Sequence, residues 1–182
     1  DELGPRIPIT VKLALMALGF SVLFGLPLGV ISAVRQDTKL DYVLRVISLS
    51  GLSLPSFWLA LLILMAFVHY LGEIPIYTEP PENLWDELML YTIPAAAVGF
   101  RASAIIMRLT RSSMLEVLRQ DYIRTARAKG VPARKVIWRH ALPNALIPVV
   151  TLSGVEFGYL LGGAVIVEQI FALPGLGRMV LD

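Results

Sequence analysis

Four stretches of this chain are too long and too apolar for the surface of a water-soluble domain. Leu13 to Val34 runs 22 residues without a charge, against the roughly 20 needed to cross a ~30 Å hydrocarbon core. Val46 to Leu71 has no Lys, Arg, Asp or Glu, Tyr91 to Met107 is 17 residues interrupted by Arg101, and Ala141 to Leu173 carries only Glu156 and Glu168. In lipid a backbone has no water to satisfy its N–H and C=O groups, so such runs are helical. The expected fold class is therefore all-α, a polytopic helical membrane protein of about four spans forming one domain over residues 1–182. Composition agrees, with 56% hydrophobic and 16% charged residues against about 25% charged in soluble domains. The absence of cysteine excludes disulfides and thiolate metal sites. The N-terminus, beginning Asp1-Glu2-Leu3, reads as the start of a piece cut from a longer chain.

Small residues punctuate the runs. Gly25 and Gly29 are four apart in the first, alongside Pro27, which permits close backbone approach of a second helix. Gly154, Gly158 and Gly162 repeat that spacing in the fourth and predict another packing face. Pro55 predicts a kink in the second run unless it lies near a helix start. His69 near that run's far end reads as interface polarity. Between the second and third runs, residues 72–90 hold five acids and no Lys or Arg. Pro75 and Pro80-Pro81 break structure there, Tyr77, Trp85 and Tyr91 suit a membrane interface, and Asn83 to Leu90 reads as a short amphipathic helix.

Basic residues set the orientation. The link 35–45 has three Lys/Arg, the link 72–90 none, and the segment 108–143 nine. The first and third of these are expected on the cytoplasmic side, and both ends of the piece outside.

The segment Ser113 to Pro143 has an internal pattern. Leu115, Leu118, Tyr122 and Ala126 fall on one helical face. Ser113 and Glu116 have capping-box spacing, Gly130 stands where a helix would end, and Pro132 follows. The expected structure is one helix over Leu115 to Gly130, then a second over Ala133 to Ala141. Lipid attraction explains the charge but not the glycine corner. A nucleic-acid reading fails, because the segment is tethered at a membrane and carries no recognised binding motif.

With Leu142 and Pro143 twelve to thirteen residues beyond Gly130, the segment resembles the "EAA" loop of ABC importer membrane subunits. Ala126, Gly130, Leu142 and Pro143 match that motif, while Arg124, Thr125 and His140 replace its Glu, first Ala and Ile. The run Asp121 to Gly130 is similar to the variant of the dipeptide/oligopeptide/nickel permease branch. So are Thr110 to Leu118, Asn144 to Val149, Gly162 to Glu168, Pro174 to Gly177 and Ser53 to Trp58.

The resemblance implies a type I importer transmembrane domain, in which residues 113–143 form a cytoplasmic coupling helix docking on an ATPase. The coupling residues it implies are Tyr122, Ile123, Arg124, Thr125, Ala126, Ala128, Gly130, Leu142 and Pro143. It further implies cytosolic ABC ATPase subunits carrying ATP and Mg, a second homologous permease subunit and an extracytoplasmic substrate-binding protein. The setting would be multi-pass in a bacterial inner membrane. Cargo would be a di- or oligopeptide, with glutathione or nickel as alternatives.

This chain itself shows no GxxxxGK[ST] loop and so no means to cradle nucleotide phosphates. No catalytic set is visible, and His69 and His140 fall on opposite membrane sides. The reading is therefore of a non-catalytic subunit binding no cofactor or metal of its own. Arg101 and Glu156 both fall near mid-depth, where lone charges are costly, so they are expected to pair or to share a watery pathway. Glu168 is expected to face a partner's helices, or else a docked binding protein. An ion-coupled transporter using Arg101 and Glu156 and a non-transporting membrane anchor are the rival readings.

Overall fold

The computed structural model describes residues 3–72, 76–77, 81 and 83–181. Its described secondary structure is helical throughout. The elements are α1 (Leu3–Val34), α2 (Lys39–Ser53), α3 (Ser56–Leu71), α4 (Leu84–Leu118), α5 (Asp121–Ala128) and α6 (Ala133–Lys135). A π-helical turn (Val136–Ala141) leads into α7 (Leu142–Gly163), followed by α8 (Val165–Ile170) and α9 (Leu176–Leu181).

Three helices are long and apolar enough to cross a membrane, Gly4–Val34, Leu84–Leu118 and Ala133–Gly162. The pair α2 and α3 makes a fourth if taken as one span, but it is bent by 105°. The second apolar run is thus not a straight helix. Pro55 stands at the N-cap of α3 with ψ 139°, where a missing N–H leaves no intrahelical bond unmade. The fourth run is also divided, at Ala164, between α7 and α8. Residues 84–90 are the first turns of α4 rather than a separate amphipathic helix, and Asn83 caps them by accepting from the Asp86 N–H at 2.9 Å. In the rest of that acidic link, residues 73–75, 78–80 and 82, which include Glu73, Pro75, Glu79, Pro80 and Glu82, lie outside the described residues.

α1 and α4 form the spine and pack along most of their length. Glycines allow it. A Cβ added to Gly29 would lie 2.6 Å from the Thr110 Cβ, and one added to Gly99 would lie 2.6 Å from the Ala17 carbonyl oxygen. Gly25 meets the Ser103 carbonyl in the same manner. Without a large hydrophobic gain inside lipid, such close approach is what brings membrane helices together.

Two apolar clusters hold the ends of the bundle. One joins Leu13, Ala17, Tyr91, Val98, Leu160 and Phe171, uniting α1, α4, α7 and the 164–173 region. The other joins Val30, Met114, Ile123, Val136, Leu142 and Ala145, and it seats α5 against the spine.

Candidate functional site

The segment expected to couple is built differently from the sequence expectation. Ser113 is not a helix cap: it is buried inside α4, which carries on to Leu118. The helix breaks at Arg119-Gln120, and α5 starts afresh at Asp121. Leu115 and Leu118 therefore belong to the membrane helix, and Tyr122 and Ala126 to α5. One period across all four residues concealed two helices.

The end of α5 follows the expected chemistry. Gly130 has φ 76°, the left-handed region that a side chain disfavours. The Val131 N–H donates to the Ala126 carbonyl at 3.1 Å and the Gly130 N–H to the Arg127 carbonyl at 3.0 Å, the paired bonds of a Schellman motif. Ala126 and Val131 both pack on the inner apolar cluster, which supplies the hydrophobic contact that accompanies this motif.

Pro132 caps α6, but the second helix does not stop at Ala141. It passes through the π-helical turn into α7 without a break. Pro143 gives the physical reason. It has no N–H for the carbonyl four residues back, and its ring crowds that carbonyl. In the wider turn the Leu142 N–H reaches the Ile137 carbonyl, five residues back. The His140 carbonyl accepts from the Tyr122 hydroxyl at 3.2 Å and from the Asn144 Nδ2 at 3.3 Å. Asn144 also donates to the Tyr122 oxygen at 2.7 Å. Tyr122 thus ties α5 to the start of a membrane helix.

Ile123 is fully buried in the inner cluster and Leu142 nearly so, so these two anchor the segment from within rather than present a contact surface. Arg124, Thr125, Ala128, Gly130 and Pro143 are exposed, and Ala126 is half-buried. Arg124 makes an exposed ion pair with Asp121 at 3.3 Å.

The corner between α1 and α2 holds residues whose role the sequence left unassigned. Asp41 is fully buried, and its two oxygens receive Arg111 Nε at 2.8 Å and Nη2 at 2.7 Å. The Ser32 hydroxyl and the Asp37 N–H also donate to it. Asp37 takes φ 61° to turn its N–H inward. Four donors hold Asp41 as a carboxylate, and the bidentate fork fixes the corner onto α4. The usable signal was that Asp41 and Arg111 both flank apolar runs on the same side of the membrane.

The two mid-span charges form no ion pair with each other among the described residues. Arg101 is exposed and Glu156 is buried. Gly154, Gly158 and Gly162 have no described atom of this chain within 4 Å of an added Cβ. The close packing inside the chain is made by Gly25, Gly29 and Gly99 instead.

Glu168 does not face outward. It is fully buried and accepts from the Thr10 hydroxyl at 2.6 Å and the Gly177 N–H at 2.8 Å. The Thr10 oxygen in turn accepts from the Leu176 N–H at 2.9 Å. Any side chain on Gly175 would collide with the Glu168 carboxylate. Glu168 therefore clasps the turn before α9 onto α1, which leaves it unable to touch a partner subunit or binding protein directly. His69 is exposed and stacks edge-on with Tyr70. No cluster of metal-ligating residues occurs among the described residues.

The chain is similar to known transport proteins. The dipeptide transport system permease protein DppB of Alkalihalophilus pseudofirmus is 39% identical over 204 residues, covering all of this chain and 61% of that protein. The glutathione transport system permease protein GsiC of Escherichia coli K12 is 40% identical over 182 residues, covering all of this chain and 58% of that protein. The chain thus spans about three fifths of the length of these relatives.

Among solved structures, the inward-facing MetNI methionine ABC transporter matches with a TM-score of 0.76 at 21% identity, over 97% of this chain and 77% of that one. An amino acid ABC transporter solved with histidines matches with a TM-score of 0.71 at 20% identity, over 96% and 74%. The fold is that of ABC transporter membrane subunits. The family model described as the inner membrane component of binding-protein-dependent transport systems matches residues 25–182, and the chain belongs to that family.

Proposed function

We propose that this chain forms one half of the pore of an ATP-driven importer that takes small peptides across the inner membrane, and that α5 is its coupling helix. The observation that carries the reading is the mounting of α5. It is a two-turn helix with an exposed face at Arg124, Thr125 and Ala128. Its other face is anchored by Ile123 and tied by Tyr122 to α7. A push on such a helix reaches a membrane span without being lost in a loose loop.

In this reading residues 113–143 lie in the cytoplasm, as their basic charge supports. ATP and Mg stay on partner ATPase subunits, and this chain performs no catalysis. A second, homologous permease packs against the exposed Gly154, Gly158 and Gly162 stripe, and an extracytoplasmic binding protein delivers cargo. Peptide cargo is supported by relatives named for dipeptide and glutathione transport. Arg101 and Glu156 line the pathway or pair as it moves. If so, Arg101→Gln and Glu156→Gln each abolish uptake and the charge-swapped double restores it. Fully active single variants would remove both residues from the mechanism.

The deciding experiment places cysteine at Ala128 in the assembled transporter and at acidic-groove positions of the ATPase. Disulfide formation that depends on nucleotide state is expected. Alongside it, Gly130→Trp and Tyr122→Phe should leave membrane insertion intact while peptide uptake per ATP hydrolysed falls several-fold. Uptake that persists without the ATPase and follows an ion gradient would overturn the reading in favour of a secondary transporter.

A further inference from the structure

Where the inner ends of α2 and α4 meet, a cleft of about 470 Å³ is lined by Tyr42, Arg45, Val46, Leu49, Arg108 and Arg111, with Ser112 beside them. The α2 members are spaced i, i+3, i+4, i+7 and the α4 members i, i+3, i+4, so one face of each helix opens onto the same space. Three guanidinium groups line it and no carboxylate does. Arg111 is already committed to Asp41, and that brace fixes the spacing of the two helices. Arg45 lies over the Tyr42 ring, 5.4 Å from its centroid. Arg108 is exposed and makes no ion pair or hydrogen bond among the described residues. Arg45 immediately precedes the second apolar run and Arg108 immediately follows the third, so both stand at the boundary between hydrocarbon and water. From Arg45 the lining continues into the run through Val46 and Leu49, which are 67% and 60% exposed.

We propose that this cleft binds an acidic phospholipid of the cytoplasmic leaflet. The phosphodiester sits between Arg45 and Arg108, where a guanidinium fork matches its oxygens. The acyl chains lie along Val46 and Leu49. Charge complementarity selects the headgroup, and the apolar end of the cleft selects an amphiphile over a free anion. A basic cleft between spans on the cytoplasmic side suits such a headgroup. The proposal needs only that the chain lies in a membrane and is independent of the coupling role given to α5.

The test reconstitutes the full-length protein in nanodiscs of phosphatidylcholine, alone or mixed with phosphatidylglycerol, and counts retained lipid by native mass spectrometry. Retention of phosphatidylglycerol over phosphatidylcholine is expected. Arg45→Gln with Arg108→Gln should weaken that preference on the order of 10- to 30-fold, as removal of two interfacial charges implies. Arg45→Lys with Arg108→Lys, which keeps the charge but not the fork, should retain part of the preference, and Arg35→Gln with Lys39→Gln, charges of the same border outside the cleft, should leave it unchanged.

A measurement on the unsubstituted protein covers the case of a double variant that does not fold. Lyso-phosphatidylglycerol should displace the retained lipid, and glycerol phosphate at the same concentration should not. Equal retention by wild type and the glutamine double variant, or no preference for phosphatidylglycerol at all, would overturn the proposal. Equal displacement by glycerol phosphate would overturn it too, and would make the cleft a soluble-anion site.

Discussion

Two buried carboxylates fasten the two ends of this bundle, and they are satisfied by different means. At the α1–α2 corner, Asp41 meets a bidentate guanidinium on α4 as well as a hydroxyl and a backbone N–H. At the other end, Glu168 receives the Thr10 hydroxyl and the Gly177 N–H, inside a turn so tight that Gly175 has no room for a side chain. The first clasp is a charge pair between elements 70 residues apart. The second is a hydrogen-bonded fold of the chain's last turns over the start of α1. An ion pair tolerates little chemical change but small shifts of backbone, whereas the glycine-lined clasp tolerates neither.

That contrast can be broken most forcefully at the ion pair. Arg111→Met leaves Asp41 buried without its cation and should cost about 3–5 kcal/mol, read as thermal unfolding in detergent. Adding Asp41→Asn to Arg111→Met should recover much of the loss, because the stranded charge is then gone. A double variant as unstable as the single would mean that Arg111 acts through packing alone.

At the opposite clasp, Gly175→Ala forces a methyl group into the Glu168 carboxylate and should cost about 1–3 kcal/mol. Gly154→Ala, whose methyl group meets no described atom of this chain within 4 Å, should stay within about 0.5 kcal/mol in the isolated chain. Equal effects at the two glycines would erase the distinction between a filled and an open site.

Glu168→Gln keeps the size but presents an NH₂ group where an acceptor is needed. A loss of about 1–2 kcal/mol is expected from one unmade buried hydrogen bond, smaller than at Arg111. A loss as large as the Arg111 variant's would show that charge, not hydrogen bonding, holds this end as well. The smallest effect is expected at Gly130→Ala, about 1 kcal/mol for a side chain in the left-handed region. Open space surrounds that position, so the conformation alone is tested.

Much of the fold was legible before any coordinates. The apolar runs announced helices because lipid leaves the backbone no other way to pair its polar groups. Gly25 and Gly29 announced a close crossing, and α4 supplies it. In the segment 113–143, Gly130 marked the helix end and Pro132 the next start. What misled was periodicity. Leu115, Leu118, Tyr122 and Ala126 keep helical phase across Arg119-Gln120, so the break between α4 and α5 left no trace in the pattern. Glu168 misled in another way. Its place near the end of an apolar run suggested an outward-facing acid, while its true partner, Thr10, lies 158 residues away.

The sequence by itself determined that this is a multi-span helical protein, where its basic segments lie, and where the segment 113–143 turns. Those are local matters of hydrophobic length, charge and backbone freedom. Only the tertiary structure decided which polar residues are clasps, which glycines are filled and that Tyr122 grips the start of α7. Each of these depends on a partner distant in sequence, and a buried polar group declares its purpose only through the atom that satisfies it.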